Sequence, residues 1–117
     1  MLEISNDPLK FILIAFYELY PDQNAFIQFQ PQLRGAEFGE CGSTLFPDDG
    51  SIPIIEISTK IPYEAVPEIL THELAHLVIP EDEHGEKWEG VFEKIHSKYE
   101  EIIRKEFDYD KDEFELL

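Results

Sequence analysis

The sequence predicts an α+β domain in which one helix precedes a small mixed or antiparallel sheet and two further helices follow it. Three observations indicate this order: helical periodicity before residue 21, short alternating or β-branched runs between residues 26 and 58, and renewed helical periodicity from about residue 63. A chain of 117 residues fits one compact domain. We therefore expect a single domain over residues 1–117.

The first helix is expected to begin after Asn6-Asp7-Pro8 and to end before Pro21. Asp7 can accept a hydrogen bond from a free amide of the first turn, and Pro8 suits the first helical position, where an N–H group would have no partner. Between these limits the apolar residues recur at helical spacing, namely Leu9, Ile12, Leu13, Phe16, Leu19 and Tyr20.

Short strands are expected next. Phe26–Gln30 alternates between apolar and polar residues as a half-buried strand does, and the glycine-punctuated runs 33–40 and 43–46 predict two more strands. The Pro47-Asp48-Asp49-Gly50 turn then leads to the β-branched run Ile52–Ser58. Because Pro53 has no N–H group to donate to a ladder, we interpret this last run as an edge strand.

Two helices are expected to complete the domain. The first extends from about Tyr63 to Ile79, with Pro67 in its first turn and Pro80 at its end. After a polar loop over residues 81–85 comes a long C-terminal helix, whose apolar face carries Trp88, Val91, Phe92, Ile95, Tyr99, Ile102 and Ile103. Residues 106–117 form an acidic tail.

The composition excludes several classes of function. The chain has 26 acidic and 9 basic residues, a formal charge of −17, so it cannot neutralise the phosphates of a nucleic acid. The same charge disfavours docking on an anionic membrane. No apolar run reaches the ~18 residues of a membrane span. The lone Cys41 excludes an intrachain disulfide, and we expect it to be a small packed residue. We expect a cytoplasmic protein without nucleic-acid or membrane partners, whose peptide substrate or partner is neutral or basic.

The segment His72-Glu73-Leu74-Ala75-His76 contains the candidate metal ligands and the candidate general base. Positions i and i+4 lie on one face of a helix, so both imidazoles can reach one metal ion, and Glu73 beside them can act as general base on a metal-bound water. The segment lies in a strongly apolar run, where two histidines and a glutamate would be costly to bury unless they had a use.

A catalytic zinc site needs a third protein ligand and an open fourth position. His84 is the best candidate, because Pro80 ends the helix, the loop can return over the metal, and Gly85 allows a close turn. Glu89 on the last helix is the competing ligand, whereas Glu93 is expected to face solvent.

These features together resemble the SprT-like, YgjP and WLM-type zincin metallopeptidases. Those families have a glycine-containing hairpin and an edge strand before the HExxH helix, then an H-G/S-x-x-F/W segment. Here the pattern is carried, between about residues 38 and 96, by Gly42–Ser58, by Ile69–Leu77 and by His84-Gly85-Glu86-Lys87-Trp88. The resemblance implies a minimal zincin-like fold with one zinc ion on His72, His76 and His84, Glu73 as general base, and Trp88 packed behind the third ligand. The DNA-directed extensions of SprT-like crosslink proteases have no counterpart in the sequence, so we expect no role in crosslink repair.

We therefore expect a zinc-dependent metallopeptidase that hydrolyses peptide bonds with a metal-activated water and Glu73 as general base. The edge strand would bind the substrate backbone through Ile54, Ile55 and Glu56, and His96 or Tyr99 is a candidate to bind the oxyanion. Two alternatives stay open. One is a non-catalytic zinc-binding regulatory module, and the other is a latent peptidase occluded by its acidic C-terminal tail.

Overall fold

The computed structural model describes residues 9–81 and 84–106. The helices and strands, in chain order, are α1 (Lys10–Leu19), β1 (Phe26–Gln30), β2 (Gly42–Leu45), β3 (Ile54–Ser58), α2 (Val66–Val78) and α3 (Glu86–Glu106). This order confirms the predicted α+β arrangement, with a small mixed sheet. The predicted cap at Asp7 and Pro8, and the tail after residue 106, lie outside the described residues.

The sheet has the strand order β1-β3-β2, so β3 is its central strand. β3 runs parallel to β1, with Phe26 opposite Ile54, and antiparallel to β2, with Leu45 opposite Ile54. The prediction that the β-branched run is an edge strand is therefore wrong. Pro53 is tolerated because it precedes the first ladder residue, and its carbonyl oxygen accepts a hydrogen bond from the Phe26 N–H group at 2.9 Å.

The predicted strand over residues 33–40 is also wrong, because this segment is a compact loop. A short 3-10 turn occupies Ala36–Phe38, and Gly35 and Glu40 close the loop with an isolated bridge. Gly35 has a φ of 98°, and a Cβ atom there would lie 2.9 Å from the backbone oxygen of Lys60. Glycine at this position thus favours a tight turn over an extended strand.

The core lies between the helices and one face of the sheet. α2 packs against β2, β3 and α3, and α1 packs mainly against α3. The largest fully buried apolar side chains of the core are Ile12, Phe16, Ile55, Ile57, Leu70, Leu74 and Ile95. Each helix contributes the apolar face that its periodicity predicts. No helix within residues 9–81 and 84–106 is both long and apolar enough to cross a lipid bilayer.

Candidate metal centre

α2 presents two imidazoles side by side. Its first turn accommodates Pro67, and its buried face carries Leu70, Leu74 and Leu77. Helical spacing places His72 and His76 one turn apart, with their Nε2 atoms 3.2 Å from each other. The helix that packs into the core therefore also fixes two nitrogen donors at the same point in space.

His84 brings a third imidazole to the same point. It lies in the segment between α2 and α3, and its Nε2 atom is 3.1 Å from the Nε2 atom of His72 and 3.1 Å from that of His76. Its φ of 64° lies in the left-handed region, which turns the chain back toward α2 just before α3 begins. The three nitrogens are close enough to bind one metal ion.

The surroundings of this histidine triangle keep the His72 imidazole neutral. Burial, together with the charges of His76 and His84, lowers the pKa of His72 to about 4, so its imidazole is uncharged at neutral pH. The ring of Trp88 lies against all three imidazoles, with centroid separations of 4.9, 5.5 and 4.7 Å to His72, His76 and His84. Trp88 on α3 thus forms one wall of the site, while its Nε1–H group donates to the His72 carbonyl oxygen at 3.4 Å.

Glu73 lies beside the triangle and is 6 % exposed. The hydroxyl of Thr44 on β2 donates a hydrogen bond to its Oε1 atom at 2.7 Å, while its Oε2 atom is 4.0 Å from the Nε2 atom of His72. Burial raises the pKa of the Glu73 carboxyl, whereas the Thr44 hydrogen bond and the charge of His84 oppose this rise. One carboxylate oxygen is therefore anchored and the other faces the nitrogen donors.

β2 approaches α2 closely because residue 42 is a glycine. A Cβ atom on Gly42 would lie 3.0 Å from the Glu56 carbonyl oxygen, 3.1 Å from Ile69 Cγ2 and 3.3 Å from Glu73 Cγ. Gly42 and Thr44 are two residues apart, so they share the strand face toward α2. Thr44 is not among the residues selected from the sequence, because a place two residues after a glycine in a strand does not identify a partner on α2.

A cavity of about 360 Å³ opens beside the donors. Its walls come from β2 and the segment after it, from α2, and from the connection to α3, and they comprise Thr44, Phe46, Glu73, His76, Pro80 and His84. The cavity gives a small molecule or a chain segment direct access to Glu73 and to two of the three imidazoles.

Several residues selected from the sequence lie elsewhere. Ile54, Ile55 and Glu56 are in the central strand, where both neighbours occupy the backbone ladder, so they cannot bind a substrate backbone as predicted. His96 lies on α3 next to Glu100, with its Nδ1 atom 3.4 Å from that carboxylate, and it does not line the cavity.

The remaining candidates on α3 also lie apart from the triangle. Glu89 is exposed and is not among the described groups close enough to share a metal ion with the histidines. Tyr99 is partly buried and packs against the hydrophobic core, away from the cavity walls.

Comparisons of the chain with protein-family models, with curated proteins and with solved structures find no match. The resemblance to SprT-like zincins therefore rests on the motifs of the sequence.

Proposed function

We propose that this protein is a zinc-dependent metallopeptidase. The observation that carries this proposal is the triangle of Nε2 atoms from His72, His76 and His84, with sides of 3.1–3.2 Å, beside the buried carboxylate of Glu73. Tetrahedral zinc with Zn–N bonds of about 2.0–2.1 Å requires ligand nitrogens about 3.3–3.4 Å apart. The donor set therefore fits zinc closely.

Hydrogen bonding among the imidazoles does not explain the arrangement equally well. Three nitrogens at the corners of a nearly equilateral triangle cannot all form linear hydrogen bonds with each other, and a bent hydrogen bond is weak. Neutral imidazoles that present their lone pairs to one cation satisfy all three nitrogens at once. This difference favours a metal ion over a cluster of hydrogen-bonded histidines.

The role of Glu73 follows from its two differently placed oxygens. A zinc ion held by His72, His76 and His84 would supply a Lewis acid that polarises a peptide carbonyl and acidifies water. Glu73 Oε2, which faces the donors, accepts the proton of the attacking water and later delivers it to the leaving nitrogen. Thr44 holds Oε1, so the carboxylate keeps the orientation that this proton transfer needs.

A peptide would bind along β2 in this proposal. β2 is an edge strand of the described sheet, and Thr44 together with the following Phe46 lines the cavity. An extended peptide that adds to the free edge of β2 places its backbone beside Glu73 and the histidines. In this proposal β2 has the substrate-binding role that the sequence predicted for Ile54–Glu56.

Catalysis is favoured over a purely structural zinc site by two features. A structural site closes its fourth position with protein and has no use for a general base. Here the grouped donors of the described residues are three histidines, and they lie at an open cavity with the carboxylate of Glu73 on its wall.

Metal analysis and peptidase assays on the purified full chain test this proposal. We expect one zinc ion per chain, loss of zinc in His84→Ala, and retained zinc without hydrolysis of an unfolded protein substrate in Glu73→Gln. His96→Ala is the matched control, because this histidine lies on α3 outside the cavity, and it should retain both zinc and activity. A wild-type chain without zinc, or a fully active Glu73→Gln variant, would contradict the proposal.

A further inference from the structure

The sheet face opposite α2, here called the outer sheet face, carries a row of apolar side chains across all three strands. Phe26 on β1 is paired with Ile54 on β3, which is paired with Leu45 on β2. Their chain neighbours Ile27, Ile55 and Thr44 point to the core or to α2, so alternation directs the row outward.

Among the described residues, no other element covers this row, although the far end of the same face is covered. There the loop after β1 crosses the sheet, so Ser58 is 1 % exposed and its hydroxyl donates to the Leu33 carbonyl oxygen at 2.7 Å. At the row itself Phe26 is 57 % and Leu45 is 46 % exposed, and no described helix packs on them. A contiguous exposed apolar row on a small protein marks an interaction surface.

The charges around the row indicate the chemistry of its partner. The sequence has no lysine or arginine between Lys10 and Arg34 or between Arg34 and Lys60. The row lies at the end of the sheet where β1 and β3 begin and β2 ends. Asp22, Asp48 and Asp49 flank these strand ends in the chain, which makes this end acidic.

The row also lies next to the candidate metal centre. Leu45 points outward, whereas its neighbours Thr44 and Phe46 line the cavity. A chain that occupies the edge of β2 therefore reaches the cavity on one side and the outer sheet face on the other.

We infer that the outer sheet face binds an apolar segment flanked by lysine or arginine in the polypeptide that the centre cleaves. This inference rests on the proposed function and names the substrate class for that site. A second copy of the chain is a poorer occupant, because each copy carries a charge of −17. The acidic segment 107–117 is disfavoured for the same reason.

Peptide binding to the full chain in the Glu73→Gln background tests the inference without cleavage. The probe is a short fluorescent peptide with an apolar stretch between pairs of lysines, and its matched partner has glutamates in place of the lysines. Fluorescence anisotropy should show dissociation constants raised about tenfold by Phe26→Ser and by Leu45→Ser, and by at least about tenfold for the glutamate peptide.

Ile14→Ser is the matched control, because Ile14 is a 40 % exposed apolar residue on α1 and should leave the affinity unchanged. Equal weakening by Ile14→Ser, unchanged affinity in Phe26→Ser and Leu45→Ser, or equal affinity for both peptides would overturn the inference. So would a dimer in sedimentation that Leu45→Ser abolishes, which assigns the face to a second copy. Phe114 is an apolar residue of the acidic segment 107–117, and tighter peptide binding in Phe114→Ser would overturn the inference in favour of that segment.

The two proposals fail in different measurements. Absence of zinc and of cleavage in the wild type would contradict the proposed function, while the effects of Phe26→Ser and Leu45→Ser on peptide affinity could still be measured. Normal zinc content and cleavage, with no effect of Phe26→Ser or Leu45→Ser on peptide affinity, would remove the inference alone.

Discussion

Replacing Thr44 with valine is expected to slow peptide hydrolysis while the metal stays bound. Valine has nearly the shape of threonine, so the substitution removes little more than the hydroxyl that donates to Glu73 Oε1 at 2.7 Å. A hydrogen bond to a charged group contributes about 1.5–3 kcal/mol. If the carboxylate depends on this bond for its orientation in the transition state, kcat should fall about 10- to 150-fold.

Initial rates over a range of peptide concentrations, together with zinc content, measure this effect. The loss should appear in kcat more than in KM, because Thr44 orients Glu73, the proposed general base. Thr44→Ser keeps the donor and should retain most of the activity, which separates the hydroxyl from the methyl group. Full kcat in Thr44→Val, equal losses in the valine and serine variants, or release of zinc would refute the reasoning.

Two further predictions concern stability and pH. Gly42→Ala should lower the free energy of unfolding by about 1–3 kcal/mol in thermal denaturation, because its Cβ would lie 3.0 Å from the Glu56 carbonyl oxygen. Gly90→Ala in α3 should raise the free energy of unfolding by about 0.5–1 kcal/mol, because a Cβ atom there would have no neighbouring atom within 4 Å. Stabilisation by Gly42→Ala and destabilisation by Gly90→Ala would contradict both predictions. Hydrogen bonds from Arg34 hold the pKa of Glu40 at about 2, so Arg34→Ala should raise that pKa toward 4.5 in an NMR titration. The stabilisation by the Arg34–Glu40 pair should be present above a pH of 4.5 and lost as the pH falls through about 2. An unchanged pKa of Glu40 in Arg34→Ala would exclude the Arg34 hydrogen bonds as the cause of the low pKa.

The parts of the site that the sequence predicted are those fixed by local geometry. His72, Glu73 and His76 lie within two turns of one helix, so helical periodicity alone determines their relative positions. The helix bounds also follow from local signals, since Pro67 fits the first turn of α2 and Pro80 cannot continue it. Nothing distant in the chain is needed to place these residues.

Strand order and side-chain partners across elements depend on long-range packing instead. Pro53 is compatible with an edge strand and also with the residue before a central strand, and only the pairing of β1 and β2 with β3 distinguishes them. The hydrogen bond between Thr44 and Glu73 joins residues 29 positions apart, in a strand and in a helix. No periodicity within either element encodes that contact, so the sequence alone does not predict it.

The position of His84 depends on both local and long-range structure, and its backbone explains why the proposed third ligand is the most sensitive part of the site. Spacing makes its approach to α2 possible, yet the approach requires a φ of 64° at a residue with a side chain, which costs about 1–2 kcal/mol. His72 and His76 need no such distortion, because the helix holds them whether or not a metal is bound. In the proposed site, binding of a cation to the three nitrogens would offset the cost at His84, so metal affinity and the backbone conformation of His84 would be thermodynamically coupled.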